Sequence, residues 1–377
     1  MDINSLLPEL LKGFSNFTLG NGVMILAALI LIYLAVFKEI EPVLLLPIGF
    51  GCLLANIPLA GMTAAEGMTK VLYDAGIKTE LFPLLIFIGV GAMIDFSPLL
   101  AQPRMVLLGA AGQFGIFGTL MLAIVLGFPL NQAASIGVIG AIDGPTSIFV
   151  ATKLAPELLA PIAVAAYSYM SLIPIIQPPL MRLLTTKKER SIKMDYAPKP
   201  ISKRTLILFP VILTLVVGLL VPEATPLISM LMLGNLLKVS GVVDRLSNAA
   251  QNEIINISTL FLGLAIGSTM TASGFLNWDT GKIMLLGLFA FALDTVAGLL
   301  FGKLMSAVTG GKINPLIGAA GISAFPMAGR LAAKTANDED PDNFILMHAM
   351  GANTAGQLGS VIAGGILLSV VSKMLGV

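Results

Sequence analysis

Hydrophobic residues are grouped along the chain into long segments, and polar residues are concentrated between them. Long apolar stretches follow one another, separated by short polar breaks or by breaks that contain glycine and proline. A helix needs about 20 mostly apolar residues to cross a bilayer. This pattern predicts an all-α membrane protein with many crossings. The twelve apolar segments are, to within several residues, 22–37, 43–59, 81–95, 105–128, 133–151, 158–178, 205–221, 225–241, 254–276, 283–307, 314–333 and 344–372.

Composition supports a polytopic membrane protein. Of the 377 residues, 56% are hydrophobic and 11% are charged, whereas about 25% of a soluble domain is charged. A soluble particle could not bury so large an apolar excess. The net charge is +1 without an extended basic face, so no nucleic-acid partner is expected. Residues 1–20 are predicted to form an amphipathic N-terminal helix.

One polar stretch, residues 182–204, divides the chain into two halves. It contains eight Lys and Arg residues and two acidic residues. Basic loops between membrane segments lie on the cytoplasmic side. We therefore predict a solvated cytoplasmic linker over 182–204, a first membrane repeat over 21–181 and a second over 205–377.

The two halves share a short internal similarity. At an offset of 181 residues, 136–153 and 317–334 have six identities in 18 positions, two glycines and a proline among them. Proline removes a backbone donor in mid-helix, and unpaired backbone at membrane depth must be buried in protein or line a wet cavity. The pattern predicts two homologous repeats whose broken or re-entrant helices meet near the midplane, as in many transporters. The repeats are inverted if one segment of each unit re-enters, as we expect, and parallel if each unit crosses the bilayer six times.

Asp143 is the strongest candidate for an ion-binding side chain. It stands in the stretch GAIDGPTS, residues 140–147. A carboxylate at membrane depth is costly unless it is paired, and is a functional candidate by default. Beside a broken helix, a carboxylate and free carbonyl oxygens suit Na⁺ or a proton. The same stretch is also a good helix N-cap, and the two roles are compatible.

The matching tip of the second half lacks the acid, because Ala324 stands opposite Asp143. Asn314, Gly318 and Ser323 supply neutral oxygens instead. A site between the two tips would combine one negative charge with neutral oxygens, which suits one monovalent ion. Because Asn314 precedes a proline, a turn or cap role for this residue is equally open.

Further polar residues lie within apolar segments. Arg330 either pairs with Asp143 or Asp294, or holds a carboxylate substrate in its guanidinium fork. Tyr169 either donates a proton, binds an ion or packs at the interface. Asn353 is either an ion ligand or a helix–helix contact. Asp294 is either a second ion ligand or the partner of Arg330.

Several longer motifs follow one another along the chain. They are GAIDGPTSIF at 140–149, QPP at 177–179 with LTTKKER at 184–190, NPLIGAAGIS at 314–323 and GANTAGQLGS at 351–360, after an early EPVLLLPIGFG at 41–51. Together they resemble the β subunit of the sodium-pumping biotin-dependent decarboxylases over nearly the whole chain. The resemblance implies that this subunit decarboxylates a carboxybiotin loaded by a partner, drives Na⁺ out of the cytoplasm and consumes a proton.

The resemblance also implies the site residues. The catalytic residues of the family fall on Asp143, Tyr169 and Arg330, with Tyr169 as the proton donor and Arg330 as the contact for carboxybiotin. The Na⁺ ligands fall on Asp143, Asn314, Gly318, Ser323 and Asn353. Two mild departures, Ile142 and Ala352, remove no polar oxygen.

The resemblance further implies partners and a location. The expected partners are a biotin carrier protein or domain, a carboxyltransferase α subunit, a small γ or δ membrane subunit and further β subunits. The expected location is the cytoplasmic membrane of a bacterium. The chain has no biotin-attachment motif of its own, and the acid that is decarboxylated is chosen by another chain.

Two other classes of function fit the residues. A Na⁺-coupled secondary transporter of an organic anion would need the same broken helices and the same acid, but no biotin. A structural membrane subunit is disfavoured by Asp143 and Arg330 inside apolar segments.

Overall fold

The computed structural model describes residues 11–195 and 200–376, which fold without any β-strand. Residues 1–10 of the predicted N-terminal helix lie outside the described residues. The α-helices, numbered α1 to α22 in chain order, are Lys12–Ser15, Leu19–Phe37, Pro42–Ala55, Met68–Leu72, Leu81–Met93, Ser97–Ala101, Met105–Ala111, Phe114–Val125, Leu130–Gly137, Gly144–Leu154, Leu159–Ser171, Ile173–Leu184, Lys187–Arg190, Lys203–Leu220, Thr225–Ser240, Asp244–Ala249, Ile255–Ser268, Ala272–Phe275, Trp278–Val308, Leu316–Ala319, Met327–Glu339 and Leu346–Leu375.

The described residues contain six helices that are long and apolar enough to cross a membrane. Two further pairs of helices are apolar and long enough together but are bent at a break, so that each is either a broken span or a re-entrant loop: Met68–Ile77 with Leu81–Met93 at 62°, and Pro156–Met170 with Ile173–Leu184 at 61°. The predicted all-α membrane architecture is thus confirmed. The six spans are Leu19–Phe37, Met105–Val125, Lys203–Leu220, Asp244–Ser268, Trp278–Val308 and Leu346–Leu375.

The segment predicted to break around Asp143 is a helical hairpin, hairpin 1, residues 130–154. Its arms are α9 and α10. Between them, a 3₁₀ turn ends at Ile142, whose φ of 56° is left-handed. At the open end, the Asn131 side chain donates a hydrogen bond to the Leu154 carbonyl oxygen at 2.9 Å. The chain therefore returns to the side from which it entered, and this segment re-enters rather than spans.

The matching segment of the second half is also a hairpin, hairpin 2, residues 314–339. Its arms are α20 and α21. Both of its ends meet Arg190 of the linker. Asn314 Nδ2 donates to the Arg190 carbonyl oxygen at 2.8 Å, and Glu339 Oε1 accepts from Arg190 Nη2 at 2.8 Å. Hairpin 2 thus opens on the side of the bundle that carries residues 182–195, here named the linker side.

The two hairpins enter the bundle from opposite sides. Asn343, just before α22, donates to the Arg190 carbonyl oxygen at 2.9 Å, so α22 begins on the linker side. Helices α7 and α8 run parallel to α22 and end on the far side, where hairpin 1 begins. Inverted repeats would produce this arrangement, and the homology of the two halves stays a prediction. The contacts that set the direction join Met105, Gly109 and Gln113 to Gly351, Ala355 and Gly359 in that order.

Most described residues of the linker are exposed, but one arginine is buried against the bundle. Arg190, on the short helix α13, is only 6% exposed, and it also bonds the Thr185 carbonyl oxygen. Three further ion pairs join the linker to the bundle. The reason is that α21 ends in acidic residues, which attract the basic linker onto the open end of hairpin 2. The three pairs are Arg182–Asp338, Lys193–Asp340 and Lys303–Glu189.

Candidate functional site

The tips of the two hairpins line one cavity of about 740 Å³. Hairpin 1 contributes Asp143, and hairpin 2 contributes Ser323 and Arg330. Glu41, in the turn before α3, also lines the cavity, and burial raises the pKa of its carboxyl above the ordinary value. Gln357 of α22 lies on the wall of the same cavity. Residues distant in sequence thus converge at the two predicted helix breaks.

Asp143 is the N-cap of α10 and is 6% exposed. Its Oδ2 atom accepts hydrogen bonds from Thr146 Oγ1 at 2.7 Å, from Gln357 Nε2 at 2.9 Å and from Ser360 Oγ at 3.1 Å. Its Oδ1 atom has a single long contact, 3.4 Å from the Thr146 backbone nitrogen. No described basic residue lies within ion-pair distance of it. Neutral dipoles therefore hold an anion in place and leave Oδ1 with capacity for a cation.

Gln357 and Ser360 are site residues that the sequence reasoning missed. Both stand in the motif at 351–360, in which only Asn353 was singled out. The three residues are spaced by four and three positions, which places them on one face of a helix. That spacing among small residues was the signal that could have found them.

Ser323 and Asn353 meet at the tip of hairpin 2. Ser323 Oγ donates to the Gly356 carbonyl oxygen at 3.2 Å. Asn353 is fully buried, and its Nδ2 donates to the Ile322 carbonyl oxygen at 2.6 Å. The Oδ1 atom of Asn353 has no hydrogen-bond partner among the described residues. A buried acceptor without a donor is costly, and a cation would satisfy it.

Asn314 and Gly318 lie away from the cavity. The Asn314 side chain bonds the Arg190 and Ile192 carbonyl oxygens and accepts from the Leu316 nitrogen at 3.0 Å. The backbone of Gly318 packs against Gly298 of α19. For Asn314 this is the turn or cap role that the sequence left open, because the residue stands at the open end of the hairpin and not at its tip. A direct role of Asn314 and Gly318 as Na⁺ ligands stays a prediction.

Arg330 lies in the first turn of α21 and is exposed. It lines the main cavity together with Asp143, yet it forms no ion pair with any acid of the described residues, Asp143 and Asp294 included. It also lines a second cavity of about 240 Å³ with Asn343 on the linker side. The guanidinium therefore stands between the linker side and the main cavity, with its donors available to an anion.

The structure brings a different tyrosine into the cavity from the one that the resemblance implies. The Tyr169 ring is half-buried and packs on α19, with its centroid 5.9 Å from that of Phe291. Tyr167 is buried, lines the cavity and packs against Gly144 beside Asp143. Residues two apart do not share a helix face, so only one of the two tyrosines can face the cavity. The sequence alone could not decide which.

Comparison with known proteins gives one family. Residues 20–371 match the family described as the Na⁺-transporting oxaloacetate decarboxylase beta subunit. The chain is 56% identical over 362 residues to a methylmalonyl-CoA decarboxylase subunit beta of Veillonella parvula, with 96% of each chain covered. It is 52% identical over 360 residues to a glutaconyl-CoA decarboxylase subunit beta of Acidaminococcus fermentans, again with 96% of each covered.

A further relative carries the name of the family. The chain is 47% identical over 431 residues to oxaloacetate decarboxylase beta chain 2 of Salmonella typhi, with 98% of this chain and 99% of that one covered. These similarities confirm the resemblance carried by the motifs and the function class, a membrane-embedded subunit of a Na⁺-transporting decarboxylase. The chain belongs to the β subunits of the Na⁺-transporting decarboxylases.

Proposed function

We propose that this subunit decarboxylates carboxybiotin delivered by a partner and couples that step to Na⁺ export, with Asp143 as the ion-binding carboxylate. One observation carries the proposal: the tips of two oppositely inserted hairpins share a cavity that contains Asp143, Ser323 and Arg330. A cation site and an anion-binding guanidinium thus line the same space, as coupling of the two processes requires.

The proposed Na⁺ site uses hard oxygen atoms. Asp143 Oδ1 and Asn353 Oδ1 are the side-chain acceptors with free capacity, since the latter has no hydrogen-bond partner in the described part of the chain. Ser323 adds a hydroxyl at the tip of hairpin 2. Such ligands suit a small hard cation. Asn314 and Gly318 would act through position, because one fixes the open end of hairpin 2 and the other fixes its packing on α19.

The proposed path for carboxybiotin begins on the linker side. The biotin group supplies the carboxylate that leaves as CO₂. Arg330 would orient that carboxylate by paired charge-assisted hydrogen bonds. The nitrogen that loses CO₂ needs a proton, and a tyrosine hydroxyl can supply one. Tyr167 fits this role better than Tyr169, since Tyr167 lines the cavity.

The remaining features of the complex are proposals that the family membership supports. They are a biotin carrier, a carboxyltransferase α subunit, a small γ or δ membrane subunit, association of several β subunits and insertion in the bacterial cytoplasmic membrane. The relatives are named for three different acids. We propose that the carboxyltransferase selects the acid and that this subunit acts on carboxybiotin alone.

The test is CO₂ release from free carboxybiotin by the protein in liposomes, with and without Na⁺. We expect Na⁺-dependent release that Asp143→Asn abolishes. Asp279→Asn is the matched control, since that exposed carboxylate lies outside the cavity and pairs with Lys282 at the start of α19. Release that does not depend on Na⁺ in the wild type, or that survives in Asp143→Asn, would sink the assignment. Na⁺-coupled uptake of an intact organic anion would favour the secondary transporter.

A further inference from the structure

A second buried carboxylate lies outside the cavity. Asp294 stands near the middle of the 31-residue helix α19 and is 0% exposed. Its Oδ1 atom accepts a hydrogen bond from the Gly115 backbone nitrogen. Its Oδ2 atom is buried and has no hydrogen-bond partner among the described residues. No described Lys, Arg or His forms an ion pair with it, so the predicted pairing with Arg330 is absent.

The surroundings of Asp294 are places where helices break. The span Met105–Val125 is interrupted at Gly112 and Gln113, so the Gly115 nitrogen belongs to the first turn of α8, which has no intrahelical acceptor for it. Gly112 packs on Gly321 in the break of hairpin 2, and Gly140 in the turn of hairpin 1 packs on Gly115. Asp294 therefore contacts the backbone at a point where the interrupted span and both hairpins meet.

The packing of α19 on hairpin 2 leads to the same conclusion. Gly298 packs on Gly318 and Gly302 packs on Pro315. Residue numbers increase along α19 while they decrease along hairpin 2, so the two segments are antiparallel. Asp294 is one turn before Gly298 on the same helix face. Its neighbours on hairpin 2 are therefore residues that follow Gly318, where the hairpin breaks. Free backbone carbonyls are concentrated at such breaks.

We propose that Asp294 is the carboxylate of a second monovalent-cation site, separate from that of Asp143, which takes Na⁺ or a proton during transport. An ionised carboxylate at this depth without a cation is unfavourable, and Gly115 satisfies only one of its two oxygens. Thr119, one turn along α8 from Gly115, offers a buried hydroxyl that also lacks a partner among the described residues. The proposal rests on the function proposed above and adds a site to it.

A purely structural role for Asp294 would require only the bond to Gly115. An asparagine could supply that bond, since its side-chain carbonyl accepts in the same position. Asp294→Asn therefore keeps the structural contact and removes the charge. The variant should fold and should differ from the wild type only in its cation binding.

The test counts bound ²²Na⁺ at equilibrium for the protein in lipid nanodiscs, and records the infrared C=O band of protonated buried carboxyls. The proteins are wild type, Asp143→Asn, Asp294→Asn, the double variant and the control Asp279→Asn. If Asp294 takes Na⁺, Asp294→Asn binds one Na⁺ fewer than the wild type and the double variant binds none. If it takes a proton, Asp294→Asn binds as much Na⁺ as the wild type and loses the carboxyl band.

Asp294→Asn protein with wild-type Na⁺ binding and an unchanged band would overturn the inference. If that variant does not fold, the Asp143→Asn protein decides. A bound Na⁺ that remains in it, or a carboxyl band that remains after the further change Glu41→Gln, supports the second site, and the loss of both contradicts it. The Asp143→Asn protein could bind as much Na⁺ as the wild type while the Asp294→Asn protein binds less. That result would refute the ion site proposed at Asp143 and leave this inference standing.

Discussion

The packing of α19 against hairpin 2 can be tested by a single added methyl group. A Cβ atom on Gly298 would lie 2.3 Å from the Gly318 carbonyl oxygen and 3.0 Å from its carbonyl carbon. Carbon–oxygen contacts are normally about 3.3 Å or longer, so the two segments would have to separate by about 1 Å. The obstacle is backbone and cannot rotate away. Such overpacking costs about 1–3 kcal/mol.

Gly281→Ala is the matched control on the same helix, because a Cβ there meets nothing within 4 Å. Both substitutions gain helix propensity of up to about 1 kcal/mol, so their difference isolates the overpacking. We expect Gly298→Ala to have the lower midpoint of thermal unfolding in detergent. Gly318→Ala should behave alike, since its Cβ would lie 2.0 Å from the Gly298 carbonyl oxygen.

The double variant Gly298→Ala with Gly318→Ala should cost less than the sum of the two single changes. One separation of the backbones relieves both clashes, and coupled neighbours are not additive. A Gly298→Ala protein as stable as Gly281→Ala would refute this account of the interface. Strict additivity in the double variant would show that the two glycines do not share one contact.

Three further predictions concern the ends of the hairpins and the rim of the cavity. Arg190→Met should lower the free energy of unfolding by about 2–3 kcal/mol, because it breaks the pair with Glu339, which is 20% exposed; an unchanged denaturant midpoint would contradict this. Burial raises the pKa of Glu41, so the folded state binds the carboxyl proton more tightly than the unfolded state does. Its contribution to the free energy of unfolding is therefore full at low pH and is lost as the pH rises through the raised pKa. The unfolding midpoint should decline over that pH range in the wild type, and Glu41→Gln should remove the decline. Asn314→Ala should lower the unfolding midpoint and shift its increase with added Na⁺ to higher Na⁺ concentrations, because the displaced tip binds Na⁺ more weakly; complete loss of that increase at saturating Na⁺ in folded protein would make Asn314 an ion ligand.

The membrane architecture was readable from the sequence because it depends on segment length and hydrophobicity. The two breaks were also readable, since glycine and proline act locally on the backbone. Whether each broken segment spans or re-enters was not readable. It depends on contacts between the ends of one segment, such as Asn131 with Leu154, or with a distant linker residue such as Arg190.

The sequence predicts the site best where a charged side chain lies in an apolar segment, because burying a charge in the membrane costs much free energy. Asp143 stands out by its charge alone, and the structure places it in the cavity. Gln357 did not stand out, because an amide in a helix of small residues serves packing or binding equally well. Tyr167 and Tyr169 differ by half a helical turn, and only the packing of α11 on α19 decides which one faces the cavity.

The residues that the family resemblance ties to Na⁺ fall into two structural groups, and the hairpin geometry explains why both would matter. Asp143 and Ser323 line the cavity at the two tips, and Asn353 of α22 bonds the tip of hairpin 2 at the Ile322 carbonyl oxygen. Asn314 and Gly318 lie on the first arm of hairpin 2, one at its open end and one against α19. A re-entrant hairpin does not reach the other side of the membrane. The position of its tip therefore depends on the contacts made by its open end and by its first arm. A change at either place would move the Ser323 hydroxyl relative to Asp143, and Na⁺ affinity would fall without any lost ligand.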